Sequence, residues 1–267
     1  NTYEFKIKPS IRQFYGAGAE DEITELCFVF RSSDGNQQTN DLFYQVYNPG
    51  LQVSISKPTQ KRFVAKQDEA FTFEASASEG DSIELYAGDE LLHTATGNSL
   101  SQSLSFSNQG AVWLWVKAFS SGETATDSVR TFIRGDVPVA ELPDGIHNGV
   151  NYTSDTSAVL VLHAPGKEFA FAIGDFSTWQ VAEDYYMNRT PDNTHFWVAL
   201  NDLQAGKEYR YQYFVDSEST IADPYTEKVL DPWNDQYISE STYPNLIAYP
   251  QGPTEGLVSV FQTAAPE

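Results

Sequence analysis

The stretch Glu208-Tyr-Arg-Tyr-Gln-Tyr-Phe-Val-Asp216 (EYRYQYFVD) places Tyr209, Tyr211, Tyr213 and Val215 on alternate positions. Successive side chains of extended backbone point to opposite faces, so these four share one face of a strand. The same rhythm continues outward. VNYTSDTSAVLVLHAPG (150–166), EFAFAIGDF (168–176) and HFWVALNDL (195–203) precede it, and LVSVFQT (257–263) follows. Further upstream, LQVSISKP (51–58), FTFEASAS (71–78), SIELYAG (82–88), SLSQSLSF (99–106), AVWLWVKAF (111–119) and DSVRTFIRG (127–135) read as about six short strands. Strands at such spacing indicate a small sandwich. In AVWLWVKAF, Trp113 and Trp115 alternate with Val112, Leu114 and Val116, so both faces are apolar. One face belongs to the sandwich core; the other is either covered by a neighbouring domain or binds a ligand.

Near the start, Tyr3, Phe5 and Ile7 alternate with charged residues. ITELCFVF (23–30) and DLFYQVY (41–47) flank RSSDGNQQTN, a hairpin loop centred on Asp34-Gly35. Three strands are too few for an independent domain, so this piece reads as the tail of a larger β-domain. Turn signals at Tyr47-Asn48-Pro49-Gly50 and in GDVPVAELPDG (135–145) divide the chain into residues 1–48, 49–135 and 136–267. No window of helical length keeps a 3.6-residue period, although one turn near 183–187 is expected. The fold class is all-β, a tandem of sandwiches preceded by a β fragment.

Composition agrees. Of 267 residues, 40% are hydrophobic and 14% aromatic, with 15 Tyr, 17 Phe and 5 Trp against one Met and one Cys. Aromatic side chains suit a half-buried pleated surface, and flat rings also stack on pyranose faces. The net charge is −21. Such a surface repels nucleic-acid phosphates and anionic lipid. Residues 136–267 carry 5 basic and 20 acidic residues, a sharp change from the first 135. Cys27 has no second cysteine to pair with and, inside LCFVF, reads as a small buried hydrophobe. No run approaches the roughly 20 apolar residues of a membrane span. The chain opens already in strand rhythm, so a leading part is expected upstream.

Catalytic signatures are absent from the string: no GxSxG, no GxxxxGK[ST], no HExxH and no cysteine cluster. His93, His147, His163 and His195 lack metal-ligand spacing, so neither metal nor cofactor is expected. His163 reads as structural or solvent-facing. With 37 acidic residues any glycosidase-like pair is easy to propose, and none stands out. Asp175, in GDF, reads as a turn residue.

Several motifs fall in order in the last third: Gly174, Phe176 and Trp179 as G-x-F-x-x-W; Leu203, Gly206 and Tyr209 as L-x-x-G-x-x-Y; Tyr211, Tyr213, Val215 and Asp216 as Y-x-Y-x-V-D; then Asp223-Pro224. Over residues 147–262 this resembles the immunoglobulin-like early-set module of the α-amylase family (glycoside hydrolase family 13), also called carbohydrate-binding module family 48. PSIRQFYG and ITELCFVFRSSDG are similar to the end of a front domain found in bacterial members. The resemblance implies immunoglobulin-like early-set folds, a secreted or cell-surface bacterial protein, and a catalytic barrel following the module. It also implies hydrolysis of α-glucosidic bonds in starch- or glycogen-type glucans by the barrel's two-carboxylate chemistry. The barrel's Asn-His-Asp and G-F-R-x-D strings do not occur, and the chain ends at FQTAAPE, where the barrel is expected to begin. Glycogen-binding relatives use two tryptophans and a lysine. Trp179 occupies the first tryptophan position, Gln212 replaces the lysine, and SESTI stands where the second tryptophan is expected. Candidate sugar contacts are Trp179, Gln212, Trp113 and Trp115, with the structural reading of Trp179 preferred.

IADPYTEKVLDPWNDQYI (221–238) carries two Asp-Pro pairs, each followed by an aromatic, Tyr225 or Trp233. Proline holds φ and cannot donate to a sheet, so the segment reads as a stiff ribbon. Its rings, with Tyr237, pack on their own module, on a sugar, or on the absent barrel; packing partly on their own module and partly on the barrel is the expectation. The chain then reads as accessory modules of an α-glucan hydrolase. A stand-alone surface glycan-binding protein and a structural spacer array are the alternatives.

Overall fold

A computed structural model describes residue 8 and residues 11–18, 23–32, 34–46, 50–60 and 62–265. The strand expected around Tyr3, Phe5 and Ile7, and most of the Tyr47-Asn48-Pro49 turn, lie outside these. The N-terminal region contains a five-residue helix α1 (Ile11–Tyr15), which no sequence period announces, and a hairpin of β1 (Glu25–Phe28) and β2 (Leu42–Gln45). Asp34 organises the connecting loop. Its carboxylate accepts hydrogen bonds from Ser32 Oγ at 2.5 Å and the Asn36 amide at 3.2 Å, which lower its pKa to about 2. Gly35, at φ 74°, takes the left-handed position of the turn. Among the described residues no second sheet covers this hairpin, so both faces are open and Cys27 is exposed. That corrects the reading of Cys27 as buried: an apolar run is buried only if a layer exists to bury it.

Residues 53–134 form eight strands: β3 (Val53–Lys57), β4 (Phe63–Lys66), β5 (Phe71–Ala77), β6 (Ser82–Ala87), β7 (Glu90–Thr96), β8 (Ser99–Leu104), β9 (Gly110–Ser120) and β10 (Glu123–Arg134). They make two sheets, β3-β5-β8 and β4-β10-β9-β6-β7. The order is immunoglobulin-like, with β4 pairing in parallel to the last strand. Ser121 and Gly122, both at positive φ, make the two-residue turn that joins β9 to β10. Phe73, Ile83, Leu85, Leu114 and Val116 are fully enclosed between the sheets. Each such side chain contributes about 1.5–3 kcal/mol by leaving water.

The remaining strands are β11 (Gly149–Ser154), β12 (Ser157–His163), β13 (Ala170–Gly174), β14 (Asn188–Arg189), β15 (His195–Leu200), β16 (Glu208–Val215), β17 (Ser219–Ile221), β18 (Lys228–Leu230) and β19 (Val258–Gln262). One sheet runs β11-β12-β15-β14 and the other β13-β16-β19-β18, with β17 also on β16. With β11 to β16 lettered A to F and β19 as G, these are sheets A-B-E-D and C-F-G, the constant-type immunoglobulin arrangement, with β17 and β18 inserted between F and G. Tyr209, at the start of the F strand β16, accepts a 2.8 Å hydrogen bond from the Gln204 amide through its hydroxyl, a tyrosine corner. Tyr209, Tyr211, Tyr213 and Val215 all lie in the core, as their alternation requires. The helical turn expected near 183–187 is a 3-10 turn at Glu183–Tyr185.

The two sandwiches share a hydrophobic cluster. Val64 and Phe132 from the first meet Phe169, Phe171, Ile173, Val181, Tyr186 and Phe214 from the second. Arg130 Nη1 donates to the Val181 carbonyl at 3.1 Å, and Arg134 lies 4.4 Å over the Phe169 ring. The Pro/Asp/Gly segment after Gly135 is not a free tether. Val137 packs on the second sandwich's core and on the shared cluster, and residues 138 and 140 bond to Arg189.

Candidate functional site

The F–G connection, residues 216–257, departs most from a plain sandwich, and the two Asp-Pro pairs organise it. Asp223 is 2% exposed. Its Oδ2 accepts from the hydroxyls of Tyr211 (2.7 Å) and Tyr213 (3.0 Å), its Oδ1 from the Tyr225 amide (2.8 Å), and its own amide donates to Ser259 Oγ (2.7 Å). Burial, reinforced by this carboxylate, pushes both phenols well above their ordinary range, so they act only as neutral donors. Asp231 repeats the turn in the open: its Oδ1 accepts from the Trp233 amide at 2.8 Å. In both pairs the carboxylate therefore fixes the amide two residues on and sets the direction of the aromatic that follows. Between them, Lys228–Leu230 form β18 against β19, and Ile221 ends β17, so four residues of the expected ribbon are strand. Period alone does not reveal so short an edge strand.

The connection is pinned beneath and bare above. Arg210 Nη1 donates to the Ala248 carbonyl at 2.8 Å, and Lys228 Nζ lies 4.7 Å over the Tyr243 ring. Leu246, Ile247 and Tyr249 pack on Trp179, Leu230, Val258 and Val260. On the outer side Tyr225 is 56%, Trp233 62% and Tyr237 81% exposed. Tyr225 rests its Cβ against Gly149, at φ 91°, where a side chain would collide.

Two of the expected sugar contacts are not available. Trp179 is 5% exposed, in the cluster beneath the connection, and its Nε1 donates to Asp175 Oδ1 at 3.2 Å. Gln212 is fully buried; its Nε2 donates to the Glu255 and Leu257 carbonyls at 2.9 and 2.7 Å, and Thr254 Oγ1 donates to its Oε1. Neither presents a face to a ligand; both hold the F–G connection down. The motif positions around them do structural work too. A Cβ on Gly174 would strike the Arg210 carbonyl and Tyr211, and Phe176 packs on the core beside Tyr185. Trp179 itself sits at φ 61°, a left-handed conformation that a bulky residue holds only when its surroundings impose it.

Asp175 opens the turn at Asp175–Ser177 and makes a forked pair with Arg210: Oδ2 to Nε and Oδ1 to Nη2, both 2.9 Å, with the Arg210 amide also on Oδ2 at 3.0 Å. Burial raises its pKa, but the hydrogen bonds and charge of Arg210 outweigh that, and the net shift is downward. A folded-state pKa below the unfolded value stabilises above the unfolded pKa; the gain disappears as pH falls through the folded one. Asp175→Asn is expected to cost about 1–3 kcal/mol at pH 7. It should also flatten the loss of stability below pH about 4. Urea unfolding at pH 7, 4 and 3 checks both; an unchanged acid limb would remove Asp175 from this role.

Trp113 and Trp115 lie on the outer face of the five-stranded sheet. Trp113 is 55% exposed; Trp115 is half-buried, stacked on Tyr86 at 4.1 Å and 6°, with Nε1 donating to the Gly88 carbonyl at 2.7 Å. No neighbouring domain among the described residues covers this face. Elsewhere, a cleft of about 480 Å³ opens between the sandwiches, beside Arg62, Glu218, Thr220 and Glu255. Arg62 closes one wall by donating from Nε to the Trp179 carbonyl at 3.3 Å and from Nη2 to that of Pro253. His163 is exposed beside His195, their rings 4.8 Å apart. Among the described residues no group of three or more His, Cys, Asp or Glu is placed to hold a metal, and no helix is long and apolar enough to cross a membrane. Sequence reasoning missed Tyr86 and the keystone role of Asp223. The alternation in SIELYAG and the nearness of Asp-Pro to Y-x-Y-x-V-D are the signals that could have found them.

No protein-family model and no curated protein matches the chain. Among solved structures, a β-glucuronidase of Parabacteroides merdae is similar at TM-score 0.29 and 9% identity, over 65% of this chain and 24% of that one. Fibronectin(III)-like modules of Clostridium thermocellum CbhA are similar at TM-score 0.26 and 16% identity, over 32% of this chain and 98% of theirs. An endo-β-1,4-mannanase of Thermotoga petrophila is similar at TM-score 0.28 and 12% identity, over 33% of this chain and 20% of its own. The chain thus spans about a quarter or less of the two enzymes it partly matches. Likenesses this partial bear on neither activity nor ligand, and the immunoglobulin-like fold rests on the strand order itself.

Proposed function

We propose that the chain is the accessory, non-catalytic part of a secreted or cell-surface bacterial α-amylase-like glycoside hydrolase acting on starch- or glycogen-type α-glucans. The sandwiches support and orient a catalytic barrel, which docks on the F–G connection. The observation that carries this reading is a connection pinned from beneath whose outer rings, Trp233 and Tyr237, stay 62% and 81% exposed. Covering such rings removes apolar surface from water, and exposed apolar patches on monomers mark interaction sites. The motif resemblance supplies the identity of the partner.

The test compares this chain alone with a longer protein in which the proposed barrel follows residue 267. Trp233 and Tyr237 are expected to become at least fivefold less reactive to hydroxyl-radical footprinting in the longer protein, while Trp113 is unchanged. Equal reactivity in both would overturn the docking reading. The alternative, a stand-alone glycan-binding protein, draws on the exposure of Trp113 and predicts that Trp233 stays reactive in every context.

A further inference from the structure

The outer face of the β4-β10-β9-β6-β7 sheet carries two adjoining rows. Along β9 run Trp113, Trp115, Lys117 and Phe119; opposite them on β10, by register, stand Arg130, Ser128, Thr126 and Thr124. An aromatic row thus lies beside a row of hydroxyls, and Thr124, Thr126 and Ser128 are all exposed. Trp115 gives one ring face to Tyr86 on β6. On its other side, by register, stands Ser128 on β10, a small side chain.

The rings are also fixed before anything binds. The Tyr86 hydroxyl donates to Glu84 at 2.6 Å, and the Trp115 indole is held by Gly88. Lys117 sits 4.9 Å over the Phe119 ring. A ligand meeting this face orders few side chains, which removes part of the usual cost of binding. A cross-strand ring pair also stabilises a sheet, but that accounts for Tyr86 and Trp115 and not for Trp113, which is 55% exposed and stacks on no ring among the described residues.

We infer that this face is a binding platform for a neutral glucan chain. The C–H faces of a sugar stack on Trp113 and Trp115, and its hydroxyls exchange hydrogen bonds with Ser128 and Thr126. Charge favours a neutral occupant. Glu84 on β6 stands opposite Lys117 on β9, whereas the protein as a whole carries −21. Phosphates and anionic polymers are disfavoured by that field. The choice of an α-linked glucan rests on the proposed function above; the position of the platform does not.

Affinity electrophoresis in gels containing glycogen, or a soluble mixed-linkage β-glucan, tests it directly. Retardation by glycogen is expected, with at least tenfold weaker binding for Trp113→Ala and for Trp115→Phe and wild-type binding for Trp233→Ala. Trp113 is exposed and Trp115→Phe keeps a ring, so loss of fold is not the expected cause; equal melting temperatures confirm that. Retardation by neither polymer, or binding indifferent to both substitutions, would overturn the platform. Retardation by the β-glucan alone, lost with Trp113, would overturn the α-glucan choice and the substrate class proposed for the parent enzyme. The footprint of Trp233 is a separate readout, so the docking of a barrel stands or falls independently.

Discussion

Phe171→Ala is expected to remove about 3–5 kcal/mol of stability, the usual cost of emptying a buried aromatic site. Phe171 is fully enclosed. It stacks on Tyr186 at 4.5 Å and 11°, and meets Phe132 edge-on at 5.4 Å and Phe169 at 6.0 Å. Phe132 belongs to one sandwich and the other three rings to the next, so the cavity opens in the seam that joins them. At roughly 2–4 °C per kcal/mol for a unit of 150–250 residues, the melting temperature should fall by about 10 °C. Calorimetry should show one transition for residues 53–262 in the wild type and two in the variant. Phe73→Ala, deep in the first sandwich alone, should lower stability without separating the transitions. If Phe171→Ala leaves a single, unshifted transition, the seam is not what couples the sandwiches.

That seam was not legible in the sequence, and the reason is physical. Alternation reports that a strand has a buried face, but not what buries it. EFAFAIGDF reads as a strand, yet all of β13 from Ala170 to Gly174 is buried because one face meets its own partner sheet and the other meets Phe132. The outer face of AVWLWVKAF reads the same way, apolar on both sides, and there the second face is open. Opposite outcomes follow from one pattern, because coverage depends on residues distant in the chain. Short edge strands escaped for another reason. β14 and β18 have two and three residues, too few to show a period, and β7 carries adjacent Leu91 and Leu92 beside a register shift that breaks the alternation. The hairpin around Asp34-Gly35, the all-β class and the core face of β16 were legible, since each depends on local chemistry or strict alternation. The site was legible in part. Asp-Pro-aromatic marks a rigid turn that presents a ring, but burial of Trp179 and Gln212 depends on where residues 244–257 fold back, which no local signal encodes.

Asp223→Ala is expected to cost about 2–6 kcal/mol, since it leaves two buried phenols without an acceptor at about 1–3 kcal/mol each. Tyr211 and Tyr213 are both fully enclosed, and no water-facing rotation can satisfy them without opening the core. Asp223→Asn keeps one acceptor oxygen, which can serve the two phenols or the Tyr225 amide but not both, and should cost less than the alanine. The two substitutions also part in their effect on the F–G connection. With alanine the Tyr225 amide loses its partner and the entry to the connection is released, while Gln212 and Arg210 still hold the exit. Limited proteolysis should therefore cut between 223 and 243 at least tenfold faster in Asp223→Ala, with Asp223→Asn between it and the wild type. A variant that keeps wild-type resistance would mean that the exit contacts alone hold the rings in place. The presentation of Trp233 would then owe nothing to the first of the paired turns, and the case for a prearranged docking surface would shift to Asp231 and its own turn.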